Sequence, residues 1–173
     1  MVGQAVSASK EARAPAPRST VLGLHQRGPR LTLYLDASAL IKAFVSEAGS
    51  GEVLELLEED VPRATSRLSF VECHASFARG RRDGRLTSKE VSKLIDDLGR
   101  RWADLVVVEF DAPVGERAAE LAHRYWLRAS DAVHLACATQ FAEAAEEVRF
   151  ASWDRRLWEA AGGLGFTCFP RRL

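Results

Sequence analysis

Asp36, Glu72, Asp131 and Asp154 are carboxylates that lie far apart along the chain. Three of them stand where an apolar run breaks. Asp36 ends the run Leu31-Thr-Leu-Tyr-Leu35, Asp154 follows Val148-Arg-Phe-Ala-Ser-Trp153, and Asp131 opens Ala132-Val-His-Leu-Ala-Cys-Ala138. Glu72 lies inside an apolar helical stripe. Carboxylates gathered by a fold are what a hard divalent cation needs, and such a cation supports phosphodiester hydrolysis.

Each aspartate also has a plainer explanation, because Asp is a favoured helix N-cap and all three precede an expected helix. Asp111, between Leu105–Phe110 and the helix after Pro113, is read as a cap and nothing more. Two features favour chemistry for the others. Asp36 and Asp154 fall at the C-terminal ends of expected strands, where open α/β sheets build their sites. Glu72 cannot be a cap. Helical spacing sets it between Leu68 and Ala75, beside Val71, so it is expected to point toward the core. A lone buried carboxylate costs several kcal/mol unless it is paired or metal-bound. Arg79, two turns away, is the one cationic residue on that stripe, so a bound cation is the expected partner.

The elements that must position these residues alternate. Strands are expected over 31–35, 61–65, 105–108, 148–152 and 166–169. Helices are expected over 38–46, 51–60, 67–82, 113–126, 131–142 and 155–161. One more starts at Thr87, where Thr87-Ser-Lys-Glu90 has capping-box spacing. Such alternation gives an α/β fold, a mostly parallel sheet with helices on both faces. Residues 1–30, rich in Ala, Ser, Arg and Pro, form a separate flexible basic tail ahead of one domain over 31–173. A basic arm for RNA and a transit-like leader are the sharper readings of that tail; a dispensable extension or an overlong start is preferred.

Of the 24 basic and 24 acidic residues, the first thirty positions hold five basic and one acidic. The remainder is therefore net negative, unlike a protein that coats nucleic acid generally. No apolar run reaches the ~18 residues of a membrane span, so the chain is read as a soluble, cytoplasmic protein without a membrane partner. Cys73, Cys137 and Cys168 are odd in number and widely spaced, which argues against a disulfide framework. Cys73-His74 and His134-x-x-Cys137 offer zinc ligands, but both pairs fall in helical stretches, and buried thiols are the preferred reading. Ser38 and Ser152, each two residues from an Asp, are candidates either to orient a carboxylate or to cap a turn. His134 is read as a structural histidine, Trp153 as a packing residue, and Arg128 as a phosphate contact.

The motifs resemble one family. Tyr34-Leu-Asp-Ala-Ser-Ala-Leu-Ile-Lys42, Ser69-Phe-Val-Glu-Cys-His-Ala75, Ala129-Ser-Asp-Ala-Val-His-Leu-Ala136 and Ala151-Ser-Trp-Asp-Arg-Arg-Leu157 are similar, in order, to the four acidic motifs of PIN-domain ribonucleases, most of all VapC-type toxins. The resemblance covers about residues 31–170. It implies a three-layer sandwich and a Mg²⁺- or Mn²⁺-dependent endoribonuclease whose metal is held by Asp36, Glu72, Asp131 and Asp154. It further implies an RNA substrate cut to a 5′-phosphate and a 3′-hydroxyl, a homodimer, and a VapB-like antitoxin. The antitoxin would set an Arg against the carboxylates and lie on apolar residues of 40–45 and 53–57. Three alternatives stand beside it: a PIN nuclease in RNA processing without an antitoxin, a non-catalytic PIN-like interaction module, and a haloacid-dehalogenase-type phosphatase. The last needs a second Asp where Ser38 stands.

Overall fold

A computed structural model describes residues 31–145 and 147–173; the expected basic tail lies outside them. The element order is β1 (Leu31–Leu35), α1 (Ala37–Lys42), α2 (Ser50–Glu58), β2 (Arg63–Ser66), α3 (Arg67–Arg82) and α4 (Ser88–Trp102). It continues with β3 (Val106–Val108), α5 (Ala112–Tyr125), α6 (Ala129–Ala142), β4 (Glu147–Ala151), α7 (Arg155–Gly163) and β5 (Thr167–Phe169). The strands form one sheet in the order β3-β2-β1-β4-β5, parallel at every pairing.

That order explains the layers. Parallel neighbours need crossover connections, and burial on both faces makes the central β1 and the β3 strand mainly apolar. Leu33 and Leu35 of β1, Val107 of β3 and Ala151 of β4 face one side and pack with Ala39, Leu40, Leu56, Cys73, Phe77, Leu98 and Trp102 from α1–α4. Tyr34, Val106, Val108 and Phe150 face the other side, against Leu121, Leu135, Phe141 and Leu157 of α5–α7. The period-two alternation of β1 therefore splits one short strand between two cores. The outcome is a three-layer α/β sandwich.

Local chemistry sets the boundaries. Thr87 and Glu90 form a reciprocal capping box that starts α4. Asp111 accepts from the Val114 amide at 3.0 Å, with Pro113 in the first turn of α5. Gly49 precedes α2 at φ 89°, and a Cβ there would stand 2.4 Å from the Trp153 indole nitrogen. Only glycine meets both demands. Trp153, whose ring also meets Phe169 edge-on, is thus a packing residue.

Three expectations need correction. The core face of α3 is Ser69, Cys73, Phe77 and Gly80. Val71, expected beside the core, is 59% exposed, and Glu72 lies at the margin rather than inside. The stripe had been centred off the true face. Asp131 does not cap α6. That helix begins two residues earlier, with Arg128 at the N-cap and Asp131 in the first turn, because Ala129, a strong helix former, and Ser130 belong to the helix rather than the loop. Finally, Leu40, Val53 and Leu56, offered as part of a docking groove, are buried in the molecule's own interior. Among the described residues no helix is long and apolar enough to cross a membrane.

Candidate active site

Reversal of the chain's direction across the sheet fixes where the site is. From β1 the chain moves outward through β2 to β3, then returns to add β4 on the other side of β1. The C-terminal ends of β1 and β4 flank this switch point, where the connecting helices leave to opposite faces and a crevice opens. Asp36 directly follows β1, and Ser152 and Asp154 follow β4.

Asp36 is 3% exposed and held by a cradle built from both strand ends. It caps α1 through the Ala39 amide at 2.8 Å. The Ser38 hydroxyl donates to its two oxygens at 2.7 and 2.9 Å, and the Ser152 hydroxyl donates to Oδ2 at 2.7 Å. Ser38 Oγ in turn accepts from the Trp153 amide at 2.8 Å, and Ser152 Oγ from the Asp154 amide at 3.1 Å. The two serines thus orient the carboxylate and join the loops after β1 and β4. Burial raises the Asp36 carboxyl above its ordinary value, although the nearby His134 ring and the Ala39, Ser152 and Ser38 donors pull the other way.

Asp154 accepts from the Leu157 amide at 3.0 Å as the cap of α7. Asp131 is half-buried, and its carboxyl is also raised, first by burial and then by the charge of Asp154. The Ser130 hydroxyl, Arg128 and His134 oppose that rise. Two acids that repel each other across a cleft favour a cation between them.

Glu72 reaches the same neighbourhood from α3. It is 30% exposed and hydrogen-bonded to His134 Nε2 at 2.6 Å. The expectation that it needs a bound cation for lack of any partner is therefore corrected: the buried His134 provides one. With Nε2–H donated to Glu72, His134 Nδ1 is left to accept from the Ser66 hydroxyl at 3.4 Å. His134 is both structural, as expected, and part of the site, since its ring holds Glu72 and lies near enough to Asp36 and Asp131 to affect both carboxyls. Ser66 went unnoticed in the sequence; its signal was its place at the end of β2, equivalent to that of Asp36 after β1. Its neighbour Thr65 braces the same edge, donating to the Leu35 carbonyl at 2.6 Å and meeting Ser69 Oγ at 2.7 Å.

His134 thus bonds Glu72 and influences Asp36 and Asp131, Asp154 acts on Asp131 by its charge, and Ser152 ties the Asp36 carboxylate to the Asp154 backbone. Among the described residues, no three or more His, Cys, Asp or Glu side chains are already gathered as a metal site. The donor set nonetheless fits a hard cation by type: all are carboxylate oxygens, two of them held uncomfortably as anions. Cys73 and Cys137 are buried free thiols in the two cores.

The sequence profile of the PIN domain matches residues 33–162. The chain belongs to the PIN-domain family. It is 36% identical over 141 residues to Ribonuclease VapC45 of Mycobacterium tuberculosis, covering 82% of this chain and 96% of the relative. Its fold is similar to that of FitAcB from Neisseria gonorrhoeae (TM-score 0.59, 18% identity, 80% of this chain and 97% of that one). It is also similar to Mycobacterium tuberculosis VapC20, a Sarcin-Ricin loop cleaving toxin (TM-score 0.58, 16% identity, 78% and 95%). At these identities the structural matches speak for the PIN fold alone.

Proposed function

We propose that this PIN domain is a metal-dependent endoribonuclease of the VapC type, the toxin of a toxin–antitoxin pair. The observation that supports the reading is the placement of Asp36 and Asp154 just after β1 and β4 at the switch point, with Asp131 feeling the charge of Asp154 and Glu72 bonded to the His134 that also influences Asp36 and Asp131. Identity to a VapC ribonuclease over nearly that protein's whole length supports the same substrate class. Asp36, Glu72, Asp131 and Asp154 would hold Mg²⁺ or Mn²⁺. Bound there, the cation supplies Lewis-acid stabilisation to the phosphodiester oxygens.

The chain's own residues have distinct tasks. Ser38 and Ser152 keep the Asp36 carboxylate from rotating, and His134 does the same for Glu72 from a buried position. Orientation of this kind preserves a reactive geometry that free side chains would lose. Arg128, whose charge reaches Asp131, lies where it can meet an RNA phosphate at the rim of the acidic cleft. An antitoxin is the natural partner of an enzyme with an open nucleolytic site. An Arg from it would suit the acids, since a guanidinium binds carboxylates bidentately.

Expression in a bacterial host tests the reading. The wild-type chain is expected to arrest growth, Asp131→Asn to abolish arrest, and the protein encoded immediately beside it to restore growth. Normal growth with soluble, RNA-cutting wild type would replace the toxin reading with that of an RNA-processing nuclease.

A further inference from the structure

Trp126 is the most exposed of the large apolar side chains described, at 83%. It is also the sole non-glycine residue at positive φ among those described, with φ 50° and ψ 44°. It ends α5 as the left-handed C-cap, a place that favours Gly or Asn, because a Cβ there is crowded by the backbone. A bulky residue that accepts this strain normally recovers it through burial. Trp126 recovers nothing of the kind. Strain held without a stability return directs attention to function.

The platform is rigid all the same. The amides of Trp126 and Leu127 both donate to the Ala122 carbonyl, and Leu127 is buried in the core shared by α5 and α6. The indole is thus displayed from a fixed backbone. Two residues on, Arg128 caps α6, whose first turn holds Asp131. Arg124 lies two residues before it, and exposed Arg155 and Arg156 follow Asp154 at the start of α7. None of these four arginines makes a salt bridge among the described residues, whereas Arg67, Arg117 and Arg149 each do. Arg124 lies over the Tyr125 ring, 5.2 Å from its centroid, and Arg128 acts on Asp131 at the acidic crevice; exposed guanidinium groups with an exposed indole between two of them match the chemistry of single-stranded nucleic acid. Phosphates meet the arginines, and a base lies on the ring.

We infer that Trp126 is a stacking platform for an unpaired base of the RNA, with Arg124 and Arg128 holding the flanking phosphates. The inference rests on the ribonuclease reading and deepens it.

The test is steady-state cleavage of a single-stranded RNA of mixed sequence in Mg²⁺ by wild type, Trp126→Gly and Trp126→Phe. Gly suits the left-handed cap, so Trp126→Gly should melt at or above the wild-type temperature. Its KM should nevertheless rise roughly tenfold, the size of a lost base–aromatic stack, with kcat little changed. Trp126→Phe should retain most of the affinity. Replacing successive nucleotides by abasic ones should find a position that weakens wild type and leaves Trp126→Gly unaffected. Equal KM values for wild type and Trp126→Gly would overturn this inference alone. So would an unchanged KM joined to weaker rescue by the antitoxin, which would assign the ring to a protein partner. A wild type that cuts no RNA would overturn the ribonuclease reading first, and this inference with it.

Discussion

Ser152→Ala probes the cradle that binds the two halves of the site together. The hydroxyl is fully buried, donates to Asp36 Oδ2 at 2.7 Å and accepts from the Asp154 amide at 3.1 Å. A hydrogen bond to a charged acceptor contributes about 1.5–3 kcal/mol, and a neutral one about 0.5–1.5. Losing both should therefore cost about 2–4 kcal/mol, a large part of the stability of a domain of this size. The charged share can be isolated in the Asp36→Asn background. Asn caps as well as Asp does, and its amide can donate to Ser152 Oγ, so the neutral pair survives. Ser152→Ala should then cost about 1–1.5 kcal/mol less than in wild type, the difference between a charged and a neutral bond. Urea unfolding of the four proteins of the cycle, without divalent metal, gives these values from the midpoints at constant slope. Equal costs in both backgrounds, or a cost under about 0.5 kcal/mol in wild type, would refute the claim that Ser152 holds a buried carboxylate anion.

Other outcomes follow from other parts of the molecule. Phe77→Ala empties a fully buried site beneath Phe44 and should cost about 3–5 kcal/mol, read by the same unfolding assay; a cost below 1.5 kcal/mol would show a core able to collapse. Burial pushes the Cys73 and Cys137 thiols up to about 12 and Cys168 to about 11. A disulfide reagent at pH 8 should consequently find at most Cys168 until denaturant is added, and rapid native labelling of all three would contradict the described packing. The Thr87 hydroxyl and amide hold the Glu90 carboxyl below its ordinary value. A depressed carboxyl stabilises above its unfolded-state value and loses that contribution as pH falls through the folded-state one. The protection of amides at the start of α4, corrected for intrinsic exchange, should fall under acid in wild type, with little further change in Thr87→Ala, whose cap is already absent; identical pH profiles of protection would count against the capping box.

How far the sequence reached depended on how local each signal was. β1, with its alternating apolar residues, the Thr87 capping box and the Asp111 cap are written within a few residues, and all occur as expected. The four acidic motifs were legible as a set because each sits in a distinctive local context. Glu72 was assigned the wrong environment. The partner that satisfies it, His134, comes from another helix, and no periodicity within α3 encodes that contact. The start of α6 was missed because its continuous apolar run begins only at Ala132, while the helix itself begins at Ala129, ahead of the polar Ser130 and Asp131. The two roles offered for Ser38 and Ser152 could be decided only once β1 and β4 were adjacent, a pairing that strand order and not strand propensity determines. The exposure of Trp126 has no local signal, since the expected helix over 113–126 simply ends on it.

Direct observation of cleavage tests the central claim most sharply. Purified protein should be incubated with end-labelled RNA in Mg²⁺, in Mn²⁺ and in EDTA, beside Asp36→Asn, Glu72→Gln, Asp131→Asn and Asp154→Asn variants shown by circular dichroism to be folded. The account predicts cuts with 5′-phosphate and 3′-hydroxyl ends in either metal, none in EDTA, and a loss of at least about a hundredfold in each variant, the scale for removing one group that acts in the transition state. Undiminished cutting by folded Asp36→Asn and Asp131→Asn, or by wild type in EDTA, would contradict it.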